Sequence, residues 1–326
     1  MIEDIWYNRK ISLISSLLLP VSKIFSVIAE KRKSKYSEIQ YKSKIPVVII
    51  GNISVGGTGK TPVVRKLAQS YIDQGKNPVI ISRGYGAKSA NNPFEVTSDT
   101  LPSQCGDEPK MLHDSLGGKV PVVISPKRVD SVRYIEDKYP DTDVIISDDG
   151  LQHYKLGRDF EVVVVDALRM FGNELCIPAG PLREPVERLR TVDSIVVIGD
   201  CSNDDLFELR KYNENIIVTN IVATRLVNIV SGESMPIDGM LNNNFTAVAG
   251  IGNPKKFINT LECNGFSGFD TMVFKDHHKF AAEDFANVSD DENIIMTYKD
   301  AVKCKLFASK NWWYLDIDLS VGIPLI

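Results

Sequence analysis

The sequence predicts an α/β protein: a parallel sheet flanked by helices, a second and smaller α/β unit after it, and an amphipathic helix ahead of both. Six apolar, β-branched runs carry the first part of that prediction: "IPVVII", "NPVIIS", "VPVVIS", "TDVIIS", "EVVVVD" and "SIVVIG". They are continuous instead of alternating, so each strand is expected to be buried on both faces, as in a parallel sheet covered by helices. Helix-like stretches separate them, and a glycine-rich turn follows the first. The pattern is regular to about residue 200 and then changes. "TRLVNIVSGESMPIDGML" reads as a connecting ribbon, "NFTAVAGIGNPKKFINTLEC" restarts a strand, turn and helix, and "ENIIMTYKDAVKC" and "WWYLDIDLSV" read as later strands. The expected division is an arm over residues 1–40, a main unit over 41–220 and a smaller unit over 221–326.

Composition sets the outer bounds. With 43% hydrophobic and 25% charged residues, the 326-residue chain is of ordinary globular type and long enough for two cores. Its five cysteines (105, 176, 201, 263 and 304) are scattered, with no CxxC and no histidine at metal-ligand spacing. Reduced thiols are therefore expected, rather than a disulfide framework or a zinc site.

Charge is unevenly placed. Residues 1–45 hold nine cations against four acids, a net +5 that leaves −9 for the remainder. Ile11, Ile14, Leu18, Val21, Phe25 and Ile28 recur at helical spacing in this arm. Ser12, Ser15, Ser16, Ser22 and Ser26 lie largely on the other side. Trp6 and Tyr7 precede, and the basic run "KRKSK" follows. That is the pattern of a helix lying in a bilayer interface. Pro20, Lys23 and the serines make it a poor transmembrane span. Glu3 and Asp4, with no A-x-A site after them, argue against a signal peptide. The acidic body lacks basic, aromatic-laced stretches, so no nucleic acid is expected as partner. Nothing in the chain calls for an obligate protein partner.

The glycine-rich turn reads Ser54-Val55-Gly56-Gly57-Thr58-Gly59-Lys60-Thr61, one residue short of the strict GxxxxGK[ST] phosphate loop. Its mechanical parts are present. Glycines let backbone N–H groups turn onto phosphate, Lys60 is placed for the β/γ oxygens, and the Thr61 hydroxyl is placed for Mg²⁺. Pro62 stands early in the following helix, where its missing N–H costs nothing. With a strand before and a helix after, the reading is a nucleotide-binding P-loop domain. Such a loop needs a carboxylate at the end of a neighbouring strand, and "DVIISDDG" supplies Asp148 and Asp149 as candidate Mg²⁺ ligands. No N-K-x-D occurs, and Val55 stands where membrane-targeted switch ATPases carry a second lysine. Both point to an ATP-dependent kinase.

Eight segments then become recognisable together: "GNISVGGTGKTP", "SRGYG", "GDEP", "DDGLQH", "PAGPLREP", "AGIGNPKKF", "FKDHHKF" and "KDAVK". In this order they resemble the tetraacyldisaccharide 4′-kinases of lipid A assembly. The resemblance implies transfer of the ATP γ-phosphoryl to the 4′-hydroxyl of a tetraacylated glucosamine disaccharide 1-phosphate. It also implies a peripheral enzyme on the cytoplasmic face of the bacterial inner membrane. Asp107 stands in a loop, where a lone Asp is more often a turn former or cap; the resemblance implies that it is the base and that it pairs with His277 of the smaller unit. Domain closure is then expected to complete the site. Arg183 of "PLREP" is expected either to steady charge on phosphate or to pair with Glu184 or Glu187. Arg83, Tyr85 and Gln152 are further site candidates. Two positions depart from the family pattern: Glu174 stands where glycine is usual, and Tyr298 where the pattern has Glu. A kinase for a soluble acceptor and a non-catalytic ATPase switch are the alternatives, opposed by the basic arm and by Val55 respectively.

Overall fold

The computed structural model describes residues 5–8, 11–88, 93–241, 243–289 and 291–324; Glu3, Asp4, Arg9 and Lys10 of the arm lie outside them. The described chain is an α/β structure built on two sheets. The first has eight strands: β1 (Val47–Gly51), β2 (Pro78–Ser82), β3 (Phe94–Val96), β4 (Val122–Ile124), β5 (Val144–Asp148), β6 (Phe160–Asp166), β7 (Ser194–Ile198) and β8 (Ile216–Thr219). Their order across the sheet is β3-β4-β2-β5-β1-β6-β7-β8, parallel except for β3. All six apolar runs are strands of this sheet. Five of those strands are buried at every position and the sixth, β6, at all but its first residue, as two-sided coverage requires.

The second sheet holds β9 (Ile221–Asn228), β10 (Ser234–Met235), β11 (Phe245–Ala249), β12 (Asp270–Val273), β13 (Asn293–Thr297) and β14 (Trp312–Leu319), ordered β10-β9-β14-β13-β11-β12. "ENIIMTYKDAVKC", read as a strand, is half helix. It gives β13 and then a helix at Tyr298–Cys304, started by the Thr297 side chain accepting from the Asp300 N–H at 3.2 Å. Each sheet has its own apolar cores. The chain crosses between the sheets at Asn220 and returns at Ser320, where the Ser320 N–H donates to the Asn220 carbonyl at 2.8 Å. Leu319 and Ile323 finish in the core of the first sheet. All five cysteines are unpaired.

Helix α1 (Leu13–Ser37) runs through Pro20 without ending. By length and composition it is apolar enough to cross a membrane. It packs the opposite way to a soluble surface helix. The serine side faces the body: Ser15 and Ser22 are buried, and the Ser22 hydroxyl donates to the Cys176 carbonyl at 2.7 Å. Leu13, Leu17, Val21, Ile24 and Ile28 point outward, Leu17 at 73% exposure. Phe25 alone of the predicted stripe packs on a core. A continuous exposed apolar face of this kind marks an interaction surface, and the helix is compatible with membrane association.

The first sheet positions the glycine-rich turn through a close approach at the end of β1. A Cβ on Gly51 would lie 2.6 Å from the Leu151 Cβ and 3.1 Å from the Leu151 backbone nitrogen. Gly51→Ala therefore has to displace the 149–152 turn. It is expected to lower the unfolding free energy by about 1–3 kcal/mol, seen as a lower urea midpoint; an unchanged midpoint would mean the turn yields freely.

Candidate active site

Two strand ends define one half of the site. β1 pairs with β5 in parallel, Ile50 opposite Asp148, so the glycine-rich turn after β1 and the acid pair ending β5 emerge side by side. The turn leads into α2 (Lys60–Asp73). Its N-cap, Gly59, has φ 85° and no side-chain capping bond, leaving the first helical N–H groups open to an anion. Val55, Gly56, Gly57, Gly59, Lys60 and Thr61 line a cleft of about 1010 Å³, while Ser54 and Thr58 are buried behind them. The 181–183 strip backs the turn: the Val55 N–H donates to the Pro181 carbonyl at 2.7 Å, and the Arg183 N–H to the Ile53 carbonyl at 2.6 Å.

Asp149 is the electrostatic centre of this half. Its carboxylate lies 3.5 Å from Lys60 Nζ and 3.2 Å from Arg183. Burial alone would raise its pKa, but Lys60 and Arg183 hold it below the usual carboxylate range. Arg183 thus turns to Asp149, and Glu184 is taken up by Arg188 at 3.3 Å, Gln152 at 2.7 Å and the Tyr154 hydroxyl. Asp148 is fully buried, and the Ser82 hydroxyl donates to its carboxylate at 3.3 Å. Burial first, then the charge of Glu108, push it well above the ordinary carboxylate range. Lys60 and Arg128 offset this only in part, and a divalent cation beside Asp148, Asp149 and the Thr61 hydroxyl would supply further positive charge. Among the described residues no three His, Cys, Asp or Glu side chains gather as a metal cluster. The donor set thus fits a hard cation shared with phosphate oxygens rather than a closed protein cage.

The other half comes from across the cleft. Asp107 opens a helix, α4 (Asp107–Ser115), which follows the short α3 (Pro102–Cys105). Its carboxylate lies 3.6 Å from Nδ1 of His277, on the loop after β12. Residues 170 positions apart meet here, one from each sheet's unit. His277 holds φ 58° and Asp149 φ 48°. Left-handed backbone at non-glycine residues costs of order 1–3 kcal/mol and is found at sites whose surroundings enforce it. The Tyr85 ring lies 5.7 Å from the His277 ring. Lys299 spans the cleft, 3.7 Å from Glu108 and 3.6 Å from Asp276. His278 turns away, bonding Asp284 at 2.9 Å and stacking on Phe274.

Several residues at the site carried no signal of their own in the sequence. Arg128 is fully buried and donates to the Asp148 carbonyl at 3.0 Å and the Ser125 carbonyl at 2.9 Å, pinning the end of β5. Phe25, Ile28, Ala29 and Arg32 of α1 form one wall of the cleft, which no periodicity argument reveals. The two departures also find explanations. Glu174 has φ 60°, a backbone that favours glycine. Tyr298 stacks on Tyr314 with centroids 4.2 Å apart.

His153, half-buried beside the acid pair, supplies a pH test. Burial, then Arg128 and Arg83, push its imidazole down to about 4. A lowered histidine contributes stability above its unfolded value near 6.5, lost as pH falls toward 4. In His153→Asn the fall in stability between pH 6.5 and 4 is expected to be shallower by up to about 3 kcal/mol, measured by urea denaturation across that range. Parallel curves for wild type and variant would show that His153 does not titrate with folding.

With the site in view, three comparisons bear on it. The chain matches the tetraacyldisaccharide-1-P 4'-kinase family over residues 14–324. A tetraacyldisaccharide 4'-kinase of Francisella tularensis subsp. novicida (strain U112) is 59% identical over 323 residues, covering 99% of this chain and 100% of that one. One from Francisella philomiragia subsp. philomiragia is 60% identical over 319 residues, 98% of this chain and 99% of that one. Among solved structures, the "apo" form of LpxK from Aquifex aeolicus in complex with ATP is similar with a TM-score of 0.77 and 27% identity, over 94% of this chain and 95% of that chain. A match that spans both sheets, the cleft between them and nearly all of α1 leaves one conclusion: the chain belongs to the tetraacyldisaccharide-1-P 4'-kinase family.

Proposed function

We propose that this kinase transfers the γ-phosphoryl of ATP to the 4′-hydroxyl of a tetraacylated glucosamine disaccharide 1-phosphate, on the cytoplasmic face of the bacterial inner membrane. That the chain is a kinase, passing phosphate to a hydroxyl, follows from its family. The observation that carries the finer reading is the opposition, across one cleft, of the Lys60–Thr61 loop and the Asp107–His277 pair at 3.6 Å.

In this reading residues 41–220 form the nucleotide-binding domain and 221–326 the domain that closes over it. Residues 54–61 cradle the phosphates, with backbone N–H groups and Lys60 on their oxygens. Thr61 and Asp148 or Asp149 would hold Mg²⁺, which when bound would supply positive charge beside the phosphates. Asp107 takes the proton from the acceptor hydroxyl, becoming a neutral carboxylic acid, and His277 orients that group. The new bond joins the sugar oxygen to the γ-phosphorus; the bond to the β-phosphate oxygen breaks, and ADP leaves. Arg183, released from Asp149 as phosphate arrives, is the cation for the charge that develops. The interface between the two sheets includes ion pairs, Arg65 with Asp316 at 2.8 Å and Lys256 with Asp166 at 3.3 Å among them. Polar interfaces of this kind permit relative motion, which supports closure as the step that assembles the dyad.

The apolar wall supplied by Phe25 and Ile28 favours a lipid acceptor over a soluble one. With the outward face of α1 in the bilayer, the acyl chains stay in lipid while the sugar enters the cleft.

Labelled ATP, Mg²⁺ and acceptor in detergent micelles test the reaction. Label is expected in the lipid for wild type. Lys60→Ala, Asp107→Asn and His277→Ala should each lose at least about 100-fold in kcat. Unlabelled lipid with ATP still bound would overturn the acceptor assignment. The arm is tested separately by Leu17→Asp with Ile24→Asp, both at exposed positions. We expect lost co-sedimentation with anionic vesicles and about 10-fold or lower activity on vesicle lipid, with ATP affinity unchanged. Unaltered sedimentation would show that α1 does not dock to lipid.

A further inference from the structure

The segment ahead of α1 touches the phosphate loop. The Tyr7 hydroxyl donates to the Val55 carbonyl at 2.9 Å. Its ring lies under the Arg169 guanidinium, 4.9 Å from centroid to carbon, within cation–π range. That guanidinium in turn covers Gly56: a Cβ there would stand 3.3 Å from Arg169 and 4.0 Å from the Tyr7 hydroxyl. Trp6 anchors the segment, its indole N–H donating to the Pro178 carbonyl at 3.1 Å and its own carbonyl accepting from the Asn173 N–H at 2.8 Å. The contact is close enough that a Cβ on Gly172 would meet the Trp6 carbonyl oxygen at 2.2 Å.

Arg169 is placed with equal care. Its N–H and that of Leu168 both donate to Asp166 Oδ1, at 3.2 and 3.0 Å. The other carboxylate oxygen of Asp166 meets Lys256 of the second sheet's unit at 3.3 Å. The 166–178 loop therefore seats three things at once. It holds Trp6, it holds α1 through Asn173 to Ser15 at 3.2 Å and Cys176 to Ser22 at 2.7 Å, and it presents Arg169 to the phosphate loop.

We propose that Tyr7 and Arg169 form a positioning pair that fixes the first turn of the phosphate loop, Val55–Gly56, so that the amino-terminal arm sets the affinity for the ATP phosphates. Neither residue is asked to touch the reacting atoms. A P-loop binds phosphate with backbone N–H groups aimed inward. A turn rich in glycine holds that aim only if something outside it restricts its freedom. The hydroxyl on the Val55 carbonyl fixes the peptide leading into Gly56, and the guanidinium closes the space Gly56 leaves. Residues with no expected role in the chemistry are thereby tied both to the helix that carries the apolar face and to the loop that holds the nucleotide.

The inference rests on reading residues 54–61 as the phosphate loop, and the test separates the two. Full-length Tyr7→Phe, Arg169→Gln, the double variant and Lys60→Ala would be assayed in micelles, with KM for ATP, KM for the lipid acceptor, kcat and Tm measured for each. Tyr7→Phe keeps the ring and removes only the hydroxyl. We expect KM for ATP to rise about 3- to 10-fold, the size of one hydrogen bond. Unchanged kcat would mark loss of binding shared by ground and transition states. KM for acceptor and Tm should stay at wild-type values. In the Arg169→Gln background the hydroxyl should matter less than about 2-fold, since the two act as a unit. A wild-type KM for ATP in Tyr7→Phe, or fully additive effects in the double variant, overturns the proposal. So does a fall in Tm with both KM values rising together, which would make Tyr7 a fold residue. If Lys60→Ala also keeps its affinity for ATP, the loop reading itself fails; if Lys60→Ala loses it while Tyr7→Phe is normal, only the pairing fails.

Discussion

Much of the chemistry here depends on one strand pairing, β1 against β5. Because Ile50 stands opposite Asp148, the loop after one strand and the acids ending the other leave the sheet at the same height. A shift of one residue would displace the acids by about 3.3 Å, which is the whole distance between Lys60 and Asp149 to within a few tenths of an ångström. Burial of every residue in both strands resists such a slip, since it would turn each side chain to the opposite face. Arg128 adds a second restraint by bonding the backbone of Asp148 itself. The geometry of the candidate site is in this sense a property of the sheet's interior.

The central strands and the phosphate turn were legible because two-sided burial writes itself as uninterrupted Val and Ile, and phosphate recognition as glycine. The strands that escaped notice are short or exposed. β3 has three residues, β12 is mostly exposed, and β8 lies at the sheet edge with only Thr219 buried. The helix inside "ENIIMTYKDAVKC" was announced by Thr297 and Asp300, a cap signal outweighed by the apolar run before it. Arg128 gave no sign, since its role lies in reaching backbone oxygens that folding alone brings near. The meeting of Asp107 and His277 was not readable from spacing either. It entered through resemblance to a family, and the structure brings the two within 3.6 Å.

Polar pairs, beside the apolar contact of Leu319 and Ile221 with the core of the first sheet, join the two sheets. Asp107 to His277, Lys299 to Glu108, Lys256 to Asp166 and Arg65 to Asp316 each cross between them. The more exposed of these pairs contribute little to stability, so they specify how the halves meet without welding them. Leu319 of β14 reaches into the core of the first sheet, and among the described residues the chain passes between the sheets at Asn220 and Ser320. The proposed closure needs contacts of this kind, which let two bodies meet in one arrangement and part in another.

The reversed face of α1 has a consequence for how the molecule behaves away from lipid. In plain buffer, the outward Leu13, Leu17, Val21 and Ile24 are more than half exposed, and water penalises such a stripe at roughly 25 cal/mol for each Å² it wets. The cheapest relief is whatever apolar surface is at hand: a detergent belt, or the same stripe on another copy. Subunit counts taken in lipid-free solution would then vary with the amphiphile supplied, and would describe the solvent more than the protein.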